Sequence, residues 1–156
     1  MRTVLVCLAG CVLATNLHVY GAQPVDIPTR AKGADRVVLA TVVDVNATFA
    51  TTEHGDQIIL SQVTLQIDDT LKGPSRDTQL TVDVEGGTVG DVTLGVSDMP
   101  SVRHGERAVF FLRVTAGRHV PHLRGQGIIK LQPDDSVQGT SLTLDAIRSM
   151  VRGAQQ

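Results

Sequence analysis

From Arg36 onward apolar and polar residues alternate with a period of two, and many of the residues that carry the alternation are β-branched. In Arg36–Thr48 the odd positions Val37, Leu39, Val43, Val45 and Ala47 are apolar, while the even positions begin apolar (Val38, Ala40, Val42) and turn polar at Asp44, Asn46 and Thr48. This pattern predicts a long strand covered on both faces at its start and half-exposed later. Gln57–Asp68 repeats the alternation, with Ile59, Val63, Leu65 and Ile67 on one face, and the polar stretch Glu53-His54-Gly55-Asp56 between the two strands reads as a hairpin loop. Leu71-Lys72-Gly73-Pro74 is a breaker, because proline cannot feed a central ladder and glycine permits positive φ. Further strands are expected over Thr78–Val84, Thr88–Val96, Ala108–Leu112, His119–Leu123 and Gly127–Gln132, with Gly86-Gly87, the loop Ser97–Glu106 and Ala116-Gly117 between them. Ala108–Leu112 (AVFFL) is the most apolar run and the expected central strand, whereas Pro121 predicts an edge position for His119–Leu123.

Helix signals are confined to the two ends of this region. Thr29 is expected to cap a short turn over Arg30–Asp35, and Thr143 a helix that carries Leu144, Ile147 and Val151 on one face and stops at Gly153. Seven short strands, glycine turns and one terminal helix predict an all-β fold, a closed or partly closed antiparallel β-barrel of about 6–7 strands with a short C-terminal helix.

The first residues follow a different rule. Arg2 precedes Val4–Ala14 (VLVCLAGCVLA), and a more polar stretch then leads to Val19-Tyr20-Gly21-Ala22. This is the layout of a secretory signal peptide, expected over residues 1–21 with cleavage after Gly21, or alternatively after Ala22. The apolar run is shorter than the ~20 residues a membrane-spanning helix needs, so no transmembrane span is expected in the mature chain. Leu8-Ala9-Gly10-Cys11 also has the spelling of a lipobox, which offers a lipid tether through Cys11 as an alternative. The expected organisation is therefore signal 1–21, lead-in 22–35, barrel 36–132, and C-terminal loop and helix 133–156, with a secreted or periplasmic destination. Both cysteines, Cys7 and Cys11, fall in the signal, so residues 22–156 can form no disulfide and offer no thiolate as nucleophile or zinc ligand.

Charge and aromatic content narrow the choice of partners. Fourteen basic residues against sixteen acidic ones give a net charge of −2, leaving no basic excess to neutralise a phosphate backbone. Beyond the signal only Phe49, Phe110 and Phe111 are aromatic, and two of these lie in the AVFFL run. Stacking of single-stranded bases needs exposed rings, so nucleic acid is not expected as a partner.

Ala34-Asp35-Arg36-Val37-Val38-Leu39, Asp69-Thr70-Leu71-Lys72-Gly73, Gly86-Gly87 and His104-Gly105-Glu106-Arg107-Ala108-Val109-Phe110-Phe111-Leu112 occur in that order. This order resembles a group of secreted bacterial proteins without assigned activity, whose barrel is similar to the OB-like fold of netrin and tissue-inhibitor-of-metalloproteinase (NTR-like) modules. The resemblance covers roughly Ala34 to Leu131. It implies an OB-like barrel and, as partner class, a secreted metalloprotease or another envelope protein. Inhibitors of that family chelate the protease zinc through an N-terminal cysteine. Residues 22–156 have no cysteine, so that mechanism does not carry over.

Candidate chemistry is sparse. His119 and His122 form the one close histidine pair, but on a strand a spacing of three places side chains on opposite faces, and zinc needs further ligands. His104 and Glu106 flank Gly105 and form either an acid/base pair or, as the favoured reading, a turn in which Glu106 bonds backbone or Arg107. Adjacent carboxylates Asp68-Asp69 and Asp134-Asp135 point apart on an extended chain. No nucleophile elbow and no phosphate-binding glycine loop followed by a helix is present. The expected function is a secreted or periplasmic, non-enzymatic, protein-binding β-barrel module with no catalytic, cofactor or metal residues, its contacts made by loops 53–56, 86–90 and 97–106. The alternatives are a small metal-dependent hydrolase using His119, His122 or His104, and a lipid-tethered envelope module.

Overall fold

Alternation that switches from two-sided to one-sided within one strand requires two coverings that end at different points, and the fold supplies both. The computed structural model describes residues 26–52 and 54–156; the stretch expected to be a signal peptide, its expected cleavage point and both cysteines lie outside them. In chain order come α1 (Ile27–Gly33), β1 (Arg36–Thr51), β2 (Gln57–Lys72), β3 (Gln79–Glu85), β4 (Gly87–Val89), β5 (Val92–Leu94), β6 (Arg107–Thr115), β7 (Arg118–Pro121), β8 (Ile128–Lys130) and α2 (Leu144–Gly153). A short 3-10 turn over Arg124–Gly127 joins β7 to β8.

Five strands pair in the order β1-β2-β3-β7-β6, and β6 returns to β1, so the hydrogen bonding runs around a ring-like sheet. β6 lies along β1 from Arg36↔Leu112 to Thr41↔Arg107, and β8 continues the β7 side of β6 at Ala108–Phe110. The protein is thus mainly β with a C-terminal helix. One seam departs from the antiparallel expectation: β3 and β7 are parallel, meeting at Val82↔His119.

Alternate residues of β1 and β6 serve two different cores. Val38, Ala40, Val42, Ala108, Phe110 and Leu112 join Val63, Leu65 and Val82 inside the ring. Val37, Leu39, Val109 and Phe111 face outward and are covered by Ile27 and Ala31 of α1 and by Leu144, Ile147 and Val151 of α2. Phe110 and Phe111 are both fully buried, back to back, which accounts for the unbroken AVFFL run. Past Val42 the helices no longer cover β1, so Asp44, Asn46 and Thr48 are exposed as the polar even positions require.

Four expectations are corrected. Thr88–Val96 is not one strand but the small hairpin β4–β5, turning at Gly90-Asp91 between the paired Val89 and Val92. β7 is not an edge: it pairs with β6 along its length and touches β3 at His119, and Pro121 is tolerated because it lies past that β3 contact. α1 is capped by Asp26, whose Oδ1 accepts the Thr29 N–H at 2.7 Å, rather than by Thr29; Pro28 fits the first turn, where no N–H is needed. α2 begins at its Thr143 cap as expected but runs through Gly153 and is capped at Ala154. Among the described residues no helix is long and apolar enough to cross a membrane.

Candidate functional site

The ring leaves β1 unfinished. β6 accompanies β1 only as far as Thr41; one residue further, the Val42 N–H bonds Glu106 O and Val42 O accepts from Gly105 N–H, both at 2.8 Å. Upstream of Gly105 the chain bends away from β1, while β2 stays paired with β1 out to Thr51. A cleft of about 480 Å³ opens in the space between. Val45 and Ala47 of β1 form one wall, Met99 and Val102 of the 97–106 loop the opposite one, and Leu94 and Val96 close the side of the β4–β5 hairpin.

Small residues hold that hairpin in place. Ser61, buried on β2, donates its hydroxyl to Gly86 O at 2.6 Å, and Gly86 N–H bonds Ile59 O. Gly87 follows with φ +133°, and its Cα faces Ser61, Ala47 and Ile59 so closely that a Cβ would collide with the Ser61 hydroxyl. The Gly86-Gly87 pair therefore does more than turn the chain: it seats β4 on the inner face of the β1–β2 arm.

The lip of the cleft is tied down by charge. Arg124 bonds Asp98 at the start of the loop and Glu85 at the end of β3, the latter at 2.8 Å. These hydrogen bonds, with Asp98 first, hold the guanidinium above its ordinary pKa and the Asp98 carboxyl below its own. Leu123 and Arg124 both adopt positive φ (58° and 55°), a conformation that costs energy for side chains with a Cβ and is fixed here by the Arg124 ion pairs. Glu106 secures the other end of the loop, accepting from Arg103 N–H at 3.0 Å and Lys130 Nζ at 2.8 Å. The turn reading of Glu106 thus corresponds to the geometry, although its cation is Lys130; Arg107 pairs with Asp68 and Asp135 instead.

Among the described residues no histidine lines the cleft. His104 is exposed at the far end of the loop, and His54 is exposed at the tip of the β1–β2 arm. His119 and His122 lie on and just after β7, half-buried. The His122 N–H bonds Phe111 O at 2.7 Å, and its ring packs against the Cα of Gly33 at the end of α1. Burial lowers the pKa of both rings, assisted by Arg36 beside His119 and Arg113 beside His122. Among the described residues no three His, Cys, Asp or Glu side chains gather as a metal site would require.

Of the three loops expected to make contacts, 86–90 and 97–106 contribute to the cleft, whereas the described residues of 53–56, His54-Gly55-Asp56, are not part of its lining. Ser61 and Arg103 were not singled out by the sequence. The signal for Ser61 is a small hydroxyl on the otherwise aliphatic face Ile59-Val63-Leu65, a gap that something had to fill. Arg103 stands at the rim, and among the described residues no carboxylate pairs with its guanidinium. No family model matches the chain, and no curated protein matches it.

Proposed function

We propose that the chain is exported by cleavage near Gly21 and acts as a non-enzymatic binding module that grips a protein partner, a secreted metalloprotease or another envelope protein, at the cleft. The single observation that carries this reading is the cleft itself: an open, mainly aliphatic cavity beside an edge of β1 with which no strand pairs among the described residues, framed by loops that the Arg124 and Lys130 ion pairs brace. Recognition surfaces combine this kind of apolar concavity with a few oriented polar groups. The strand order β1-β2-β3-β7-β6-β1, with its one parallel seam, supports an OB-like, NTR-like barrel as the scaffold.

The test is affinity capture from periplasmic and culture extracts with the full-length gene product, tagged at its C-terminus, combined with mass spectrometry of its mature N-terminus. The expected outcome is an N-terminus at Ala22 and one enriched protein that survives washing at several ionic strengths. A lipidated Cys11 N-terminus, or retention of the leader, refutes the export route. Absence of any retained protein refutes the binding role.

A further inference from the structure

The cleft lies where a strand is missing, and this determines how an occupant would bind. Within a strand, residues on one face also turn their N–H and C=O toward one edge. Val42 shows which edge belongs to the inner face of β1: it points into the ring and bonds Gly105 and Glu106 on the β6 side. Val45 and Ala47 share that face, and Phe49 follows in register; opposite them on β2 stand Val63, Ser61 and Ile59. By alternation these three residues offer their backbone groups to the β6 side, where no strand pairs with them among the described residues. The side chains of Val45 and Ala47 line the cleft, and Phe49 continues the row as the most exposed large apolar residue described, at 56%.

Unprotected edges are normally blunted by charge, proline or bulges. Val45–Thr51 carries no charge and no proline, and the bulge at Val42–Asp44 lies before it. We infer that an extended segment of the partner adds to β1 as a further strand along Val45–Phe49, antiparallel to β1 and in line with β6. This inference rests on the binding role proposed above and specifies its mode. Alternate side chains of the segment enter the cleft against Leu94, Val96 and Met99, so they are aliphatic. In the antiparallel direction its C-terminal end reaches the side of Val45, next to the loop that carries Arg103. The uncompensated guanidinium there selects a carboxylate at that end.

The test uses an acetylated, amidated hexapeptide of alternating threonine and valine ending in aspartate, titrated into the full mature chain and followed by amide NMR and hydrogen exchange. The expected result is slowed exchange at the amides of Val45, Ala47 and Phe49. Affinity should fall at least tenfold for the peptide with N-methylated valines and at least tenfold for Ala47→Pro. Arg103→Glu should weaken the aspartate peptide severalfold while leaving a threonine-ended version unchanged. Proline is tolerated at an unpaired edge N–H, and should Ala47→Pro nonetheless unfold the chain, the methylated peptide and Arg103→Glu decide on the native fold. Unchanged edge amides at millimolar peptide, or equal binding of the methylated peptide, overturn the inference. So does protection of these amides without peptide in a sedimenting dimer, which makes a second copy the occupant. A protein captured equally by wild type and Ala47→Pro sinks the strand-addition mode and leaves the binding role standing.

Discussion

Gly87 shows how much one missing side chain can settle. Its φ of +133° and its contact with Ser61, Ala47 and Ile59 leave no room for a methyl group, so Gly87→Ala must shift the β4–β5 hairpin or strain it in place. The expected cost is about 1–3 kcal/mol in urea denaturation, accompanied by altered amide shifts at Ala47 and Ser61. The two half-buried histidines predict a pH dependence. Their folded pKa values lie below the ordinary 6.5, so the folded chain resists a proton that the unfolded chain accepts. Stability is therefore full above about pH 6.5 and declines as the pH falls through that value toward the lower folded pKa values. Asp26, Asp98 and Asp134, whose pKa values are lowered from 3.8 chiefly by hydrogen bonds, lose their contribution only below about pH 4 and leave this window clear. A melting temperature lower at pH 5.5 than at 7.5, with the difference reduced in a His119→Gln/His122→Gln double variant, is the expected observation. At this scale the sequence was least informative. Nothing in a lone serine or arginine announces that Ser61 meets Gly86 or that Arg103 stands at a rim, because those relations join residues 25 apart or depend on where a loop bends.

Elements were more legible because their signals are local. The two-sided start of β1, the burial of Phe110 and Phe111, the Thr143 cap and the Leu144–Ile147–Val151 stripe are all readable as periodicity and capping chemistry. The β4–β5 hairpin had its signal too: Gly90-Asp91 between Val89 and Val92 is a two-residue turn sequence, masked by the apolar alternation Val92-Leu94-Val96 that follows it. Long-range help for a short element left no such trace. α1 has seven residues, too few for stability in isolation, and Lys72 at the end of β2 secures it by donating to Ala31 O at 2.7 Å and Ala34 O at 2.6 Å. These are the otherwise unpaired carbonyls of a helix C-terminus, where a cation also opposes the helix dipole. Lys72→Met, which keeps the apolar stem, should cost about 1–2 kcal/mol and speed amide exchange throughout α1 before it affects β3.

For the molecule as a whole, the order of the ring could not be read from the chain, since periodicity gives strands and faces but not neighbours. The return of β6 to β1 and the parallel meeting of Val82 with His119 are properties of the assembled sheet. The two cores nevertheless leave one mark on the chain's tolerance of change in length. Phe110 and Phe111 are sequence neighbours committed to opposite interiors, so a single inserted or deleted residue in β6 would send each to the other's place and disturb both bodies of packing together. Beyond Val45 and its partner Val63 no described residue of the β1–β2 arm belongs to either core, and the arm can grow or shrink by matched pairs of residues without that penalty. Variation in reach is therefore confined by the architecture to the arm, which can lengthen its exposed edge while the helices and ring behind it stay fixed.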